Sequence, residues 1–291
     1  MGALKRRMKL ALGLNFYNDV AGLDRLLKSI PSRGVVNCII GVDGIYQYTR
    51  EQNPDLPYLS NDGSRELLKR SRFDVHLLNC AGQPEYVKRN RYLEYASKIG
   101  VTHLIIVDSD EYFLIEDLNC SCLRKRQKAW NKFKNDWHNL VEYHGSEYNV
   151  YSMTMYDPVT KKKSHRPRCW YNPGDMRYLG GSHYHWGNVV TEAKQIEQHQ
   201  QQKMMYTQSS IDNIPFTDLV LVNDPLIRTK EVNTRRETYQ KYLIKYESLR
   251  QTNLNLKHQQ AHELASQMLV EPAAAAATAT ELLLEQLNKK T

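Results

Sequence analysis

The sequence predicts an α/β fold: a mostly parallel central sheet with helices on both faces and a helical extension at the C-terminal end. Three observations predict it. Four apolar runs of strand length, 10–16, 35–42, 74–78 and 103–107, recur through the first third of the chain. They are rich in Val, Ile and Leu and nearly continuous rather than alternating, as strands covered on both faces must be. The segments between them read as helices, so the order is β-α-β-α-β-α-β.

The clearest helix spans 85–99, with Pro84 just ahead of it and Gly100 just past it, the usual asymmetry of helix ends. From Cys120 the composition turns basic and aromatic. Residues 148–156 then alternate like a strand, and 168–186 mix aromatics with Gly and Pro like hairpins. A Gln-rich stretch, 195–208, reads as a loop, and 219–222 as one more strand. After Thr229, Val232, Tyr239, Tyr242, Leu243 and Tyr246 recur at helical spacing, and the tail past Pro272 reads as a loosely docked terminal helix. The expected organisation is a ligand-binding half at 1–117, a second half with a basic insertion at 118–228, and a helical extension at 229–291.

Composition narrows the class. With 291 residues, 41% of them apolar and 25% charged, the chain has the balance of a folded globular protein, which excludes disorder and collagen-like structure. The five cysteines are odd in number, and only Cys120 and Cys122 lie close together, so neither a disulfide framework nor four-ligand zinc spacing is present. A reducing, cytoplasmic setting is expected. The basic start (Arg6, Arg7, Lys9) precedes an interrupted apolar run too short for a signal-sequence core, and no run of about 18 apolar residues occurs. Net charge is +8, and nearly all of it sits between Cys120 and Trp170, where eleven Lys and Arg face four Asp and Glu. Such a local excess favours an anionic partner.

In an open parallel sheet the ligand site lies beyond the carboxyl ends of the strands, here residues 15–19, 43–44, 79–84 and 108–111. Neither a Gly-x-Gly-x-x-Gly after the first strand nor a Gly-x-x-x-x-Gly-Lys-Ser/Thr occurs, which removes support for a dinucleotide oxidoreductase or a P-loop NTPase. Asp108 and Asp110 end a buried strand two residues apart. Their mutual repulsion calls for a cation or strong donors, and a divalent metal is the economical choice.

The run Val107-Asp108-Ser109-Asp110-Glu111 after a hydrophobic strand resembles the Asp-x-Asp motif of GT-A fold glycosyltransferases, particularly family 2. Further similarities stand in the same order. The stretch from Leu12 to Asp19 resembles the family's first strand and nucleotide-contacting loop, which implicates Asn15. Gly41-Val42-Asp43-Gly44 resembles the end of the second strand, where the family sets an aspartate against the base or ribose. Lys88-Arg89-Asn90-Arg91 resembles the family's Ala-Arg-Asn, placing Arg89 and Asn90 on the nucleotide side. Downstream, Arg166-Pro167-Arg168-Cys169-Trp170, Asn172-Pro173-Gly174-Asp175 and Gly180-Gly181-Ser182-His183 are similar to a bacterial family 2 pattern with a histidine beside the metal. On that basis His183 joins Asp108 and Asp110 as a metal ligand, with His185 competing for the role. A histidine expected near the domain's end is replaced by Asn223, while Arg228, Lys230, Arg235 and Arg236 stand where phosphates are met.

The resemblance implies an inverting, metal-dependent transferase of the hexosyltransferase type. It moves a sugar from a nucleoside-diphosphate sugar, a UDP-sugar foremost, to a hydroxyl acceptor. An oxygen-rich site with one imidazole suits Mn²⁺ or Mg²⁺ better than zinc. Asp110 binds the ion directly; Asp108 binds it through water or holds sugar or ribose hydroxyls. Candidates for the general base are Asp175, Glu192 and His185, in that order. Because the region after the Asp-x-Asp strand faces the acceptor in this family, the basic segment is expected to meet it. Three acceptors fit: a modified DNA base, a lipid-phosphate, and a neutral glycan or protein side chain. Two other classes compete, a non-catalytic nucleic-acid-binding protein and a nucleotidyltransferase, and the sequence leaves the oligomeric state open.

Overall fold

The computed structural model describes residues 8–32, 34–115, 122–145, 148–178, 186–188, 211–215 and 217–223, with single positions at 237, 241, 244, 245 and 248. The four apolar runs form β1 (Leu10–Phe16), β2 (Cys38–Asp43), β3 (Val75–Asn79) and β4 (His103–Asp108). Between them lie α1 (Val20–Ser29), then α2 (Gln47–Gln52) and α3 (Ser64–Arg70), then α4 (Glu85–Lys98). After β4 come β5 (Glu111–Ile115), α5 (Leu123–His144), β6 (Val150–Asp157) and β7 (Lys162–Tyr171). A 3-10 turn at Pro173–Asp175 leads into β8 (Met176–Tyr178), followed by β9 (Trp186–Asn188), β10 (Ile211–Asn213) and β11 (Leu219–Asn223).

The main sheet runs β3-β2-β1-β4-β7-β6-β11-β5, with β10 alongside β6; β8 and β9 form a separate pair. β3, β2, β1 and β4 are parallel to one another, as predicted. The rest corrects the expectation of a mostly parallel sheet. β7 is antiparallel to both β4 and β6, and β5 is antiparallel to β11, so the sheet is mixed. Linker length explains it: parallel neighbours need a crossover of about a dozen residues or more, and only residues 158–161 separate β6 from β7.

Burial on both faces explains why the first runs are continuously apolar. Along β1, Leu10, Leu12, Leu14 and Phe16 enter one core with Leu23 and Leu26 of α1, and Ala11 enters the other with Tyr92, Leu93 and Ala96 of α4. Helices therefore cover both faces.

The basic, aromatic segment after Cys120 contains a helix, α5, that composition hid. Trp130, Phe133, Trp137 and Val141 recur at helical spacing and are buried against the β1 and α1 core. Its polar contacts fix where it lies. Arg126 donates to the Lys28 carbonyl, Ser32 donates to Gln127 and Lys134 donates to the Val35 carbonyl, all at the end of α1 or in the approach to β2. Trp137 packs edge-on against His103, the first residue of β4. α5 thus runs along the amino ends of the parallel strands. β7 descends to the same side, where Tyr171 pairs with His103.

Positions 237, 241, 244, 245 and 248 have helical backbone. The loop expected at 195–208 and the apolar helical positions Val232, Tyr239, Tyr242, Leu243 and Tyr246 lie outside the described residues, as does the tail. Among the described residues, no helix is long and apolar enough to cross a membrane.

Burial lowers the His103 imidazole from an ordinary 6.5 to about 3, with the nearby charges of His138 and Lys134 acting in the same direction. The unfolded chain therefore binds a proton that the folded chain refuses, and stability falls as pH drops from about 6.5 towards 3, by about 1.4 kcal/mol per pH unit. His103→Gln is expected to remove that slope. Urea denaturation at pH 7 and pH 5 checks it, because wild type should lose more stability than the variant between the two.

Candidate functional site

Strand order reverses at β1: the chain leaves it for β2 and β3 on one side and returns through α4 to β4 on the other. Such a reversal opens a crevice at the carboxyl ends of the two central strands. Asn15 and Asp108 occupy it, directly opposite each other in the β1–β4 register.

The turn after β4 is held from below by α1. Asp19 caps that helix through the Gly22 amide at 3.1 Å, and its other oxygen accepts the Ser109 hydroxyl at 2.7 Å. Gly22 allows the approach, since a Cβ there would lie 2.4 Å from the Ser109 carbonyl oxygen. The amino end of α1 therefore presses its partial positive charge against a turn bearing Asp108, Asp110 and Glu111.

Two arginines complete the neutralisation. Arg89 of α4 donates to Glu85 at 2.7 Å, to the Tyr92 hydroxyl at 3.2 Å and to Asp108 at 3.1 Å. Arg168 of β7 lies 2.5 Å from Glu111 and 3.7 Å from the second oxygen of Asp108. Glu111 also accepts the Asp108 backbone N–H at 2.9 Å, which pins the turn, and the Asn223 amide reaches it at 3.5 Å. Burial raises the Glu111 carboxyl above the usual carboxylate range; Arg168 opposes that, and Asp108 and Asp110 reinforce it.

Beside this network is an unsatisfied group. Asn15 is only 4% exposed, and neither its amide nitrogen nor its amide oxygen has a hydrogen-bond partner among the described residues. Buried polar atoms are nearly always paired, so an orphaned amide in a crevice marks a place for a ligand or an ordered water.

The second strand ends differently. Asp43 is fully buried and already engaged: Ser60 donates through its hydroxyl at 2.6 Å and its amide at 3.2 Å, and Arg65 donates at 2.6 Å while also holding Asn79. Lys88, also fully buried, donates to the Gly44 carbonyl and sits 4.3 Å from the centre of the Tyr46 ring. Burial lowers its ammonium to about 8.

The structure brings Asn15, Arg89, Asp108 and Asp110 together, and separates others from them. Both ends of the Asn90 amide are taken by the Tyr178 backbone, at 2.8 and 3.0 Å, so it ties β8 to α4. Asp175 stands at the opposite end of the sheet. Its N–H bonds to the Asn172 carbonyl, and the Asn172 N–H bonds to Thr102, beside the first residue of β4. Five residues of β4 separate that level from Asp108, about 17 Å at strand rise. His183, His185 and Glu192 lie outside the described residues, as do Arg228, Lys230, Arg235 and Arg236. Among the described residues, no three His, Cys, Asp or Glu side chains are placed to hold a metal ion.

Sequence reasoning did not assign Glu85, Glu111, Ser60, Arg65 or the charge-pairing role of Arg168. The Glu85–Arg89 spacing of four on a helix was the readable signal for one of them. The contacts of Ser60 and Arg65 with Asp43, and of Arg168 with Glu111, span 17, 22 and 57 positions in sequence.

A cavity of about 250 Å³ opens next to the network, lined by Tyr156, Asp157, Ser164, Arg166, Arg168 and Asn223. It lies at the carboxyl end of β6, on the same side of the sheet as Asp108.

No protein-family model matches the chain, and no curated protein matches it. Solved structures of S. aureus TarS are similar over part of their length. TarS 1-349 aligns at 16% identity and a TM-score of 0.35, covering 52% of this chain and 36% of that one. A longer TarS structure gives 16%, 0.34, 52% and 22%, and TarS 1-349 in complex with UDP-GlcNAc gives 16%, 0.33, 52% and 35%. The present chain thus spans little more than a third of these structures at most.

Arg89→Ala removes the buried cation that Glu85 and Asp108 share, leaving Arg168 as the guanidinium beside Asp108. Loss of one partner from a buried ion pair costs about 3–5 kcal/mol. Urea denaturation at pH 7 is expected to show a loss of that order, and a change below about 1 kcal/mol would mean that Arg89 does not hold the turn.

Proposed function

We propose that this protein is a glycosyltransferase of the GT-A type, transferring a sugar from a nucleoside-diphosphate sugar, with UDP-sugars foremost, to a hydroxyl acceptor. The observation that carries the reading is the orphaned Asn15 amide facing Asp108 at the strand-order reversal, within an acidic turn braced by Arg89 and Arg168. An amide with a free donor and a free acceptor suits a ribose or a nucleobase edge, which offers both.

A divalent ion, Mn²⁺ or Mg²⁺, belongs to the proposal. Asp110 and Asp108 would hold it, and hard oxygen donors fit those ions. Bound there, it would stabilise charge on the departing diphosphate as a Lewis acid. The protein's own groups divide the remaining work. Arg89 and Glu111 keep Asp108 in position, and Asn15 orients the nucleotide. The acceptor hydroxyl enters by the cavity beside Arg168 and attacks the anomeric carbon. The new carbon–oxygen bond forms as the bond to the diphosphate breaks, and the acceptor proton passes to a base on the far side of the sugar. Asp175 is remote from this position. Of the base candidates this leaves His185 and Glu192, which lie outside the described residues.

Incubation with UDP-, GDP- and CDP-sugars and Mn²⁺ tests the reading. Nucleoside diphosphate should be released from one donor and EDTA should stop it; release of pyrophosphate would identify a nucleotidyltransferase instead. Asp110→Ala is expected to lower donor turnover by at least a hundredfold while circular dichroism stays unchanged. A fully active variant removes Asp110 from the chemistry. Asn15→Ala deletes an amide that makes no hydrogen bond among the described residues. Stability should therefore move by less than about 1 kcal/mol while donor Kd rises about tenfold, measured by calorimetric titration.

A further inference from the structure

We propose that the amino half of α5, together with the end of α3, is a docking surface for the phosphate backbone of a nucleic acid, separate from the site at Asp108.

The fold divides the basic segment. Lys161, Lys162, Lys163, Arg166 and Arg168 belong to the β6–β7 hairpin, whose tip lies on the carboxyl side of the sheet with Asp108. Arg124, Lys125, Arg126, Lys128, Lys132 and Lys134 belong to α5, along the amino ends of the strands, and no acidic residue occurs between positions 123 and 134. The expectation that the whole segment faces the acceptor is thereby corrected, because the α5 cations lie at the wrong end of the strands to touch a group reacting at Asp108.

These cations join others. Arg72, just after α3, donates to the Ile30 carbonyl, and Arg126 donates to the Lys28 carbonyl, so the carboxyl end of α1 is bracketed by guanidinium groups from both sides. Lys69 and Arg70 stand exposed on α3, as do Arg124 and Lys128 on α5, and none of the four makes an ion pair among the described residues. Three nearby acids are occupied, Asp24 by Lys28 at 2.6 Å, Asp136 by Lys132 at 2.7 Å and Asp74 by His76 at 3.7 Å, while Glu66 stands exposed one turn before Lys69 and Arg70 on α3.

Two features select a phosphate backbone over a bilayer. A helix that lies in a membrane surface buries its apolar face in lipid, whereas Trp130, Phe133 and Trp137 of α5 are already spent in the core. Leu123 is the only large apolar side chain exposed on the basic half of the helix. Exposed Asn131 and Asn135 instead add hydrogen-bonding groups between the cations. A rigid, cation-studded face without an apolar edge binds by counterion release, which a polyphosphate backbone supplies.

Fluorescence anisotropy of a labelled 20-base-pair duplex, titrated with the full chain at several salt concentrations and without donor, tests the surface. Binding should weaken steeply with salt. Arg124→Glu/Lys128→Glu should lower affinity at least tenfold and make the slope of log K against log salt shallower by about 2. Arg124→Gln/Lys128→Gln should give a smaller loss of the same sense. Asp110→Ala should bind the duplex like wild type, and the α5 variants should keep wild-type donor turnover, so failure of the transferase reading and failure of the docking surface are separately visible. Absence of duplex binding at low salt overturns the proposal, as does unchanged affinity in the α5 variants. It is also overturned if the loss appears only in Lys161→Glu/Lys163→Glu, or if the chain sediments with phosphatidylserine vesicles in preference to the duplex.

Discussion

Five charges alternate in sign through the middle of this protein: Glu85, Arg89, Asp108, Arg168 and Glu111. They come from α4, β4, β7 and β5, elements that the chain visits far apart in sequence. Each interior member meets two partners of opposite sign. In a low-dielectric interior an unpaired member is expensive, so the network either forms as a whole or costs stability at several positions at once. Its geometric consequence is local and specific. Glu111 grips the Asp108 backbone N–H while Arg89 and Arg168 hold the Asp108 side chain from either side, leaving the turn little freedom.

The same network changes how the acidic turn should be read. Two carboxylates two residues apart invite a metal because their repulsion needs relief. Here two guanidiniums already pair with Asp108 and Glu111, although burial still holds the Glu111 carboxyl above its usual range. Under the proposed function, an ion held by Asp110 would serve chemistry at the leaving group rather than keep the fold intact. Asn15 stands apart from this network, since its buried amide has no hydrogen-bond partner among the described residues.

Much of this was legible in the amino-acid order. Continuous apolar runs marked β1 to β4 because both faces of each are covered, and Asp108 at the end of the fourth run pointed to the crevice where the charge network lies. Other features were not local. The pairing of Asp43 with Arg65 and of Glu111 with Arg168 depends on which loops meet, and spacing carries no trace of it. Asp175 looked equivalent to its neighbours in a motif, yet β7 runs downward and delivers it to the far end of the sheet. α5 was readable in principle from Trp130, Phe133, Trp137 and Val141, but a dense cationic pattern on its outer face drew attention away from that spacing.

That helix also settles what the surplus charge can do. Interactions between exposed charges fade over a Debye length, about 8 Å at physiological ionic strength. The parallel strands, about 20 Å long at strand rise, put more than twice that distance between the α5 cations and Asp108. The α5 charges therefore cannot tune the site's electrostatics or steady a diphosphate there; of the two basic patches, the hairpin is the one on the near side. A surplus placed beyond electrostatic range of the reacting groups, on a helix whose apolar face is consumed by the core, has its effect at its own surface. Net charge read as a single number would have merged two patches that the fold keeps independent.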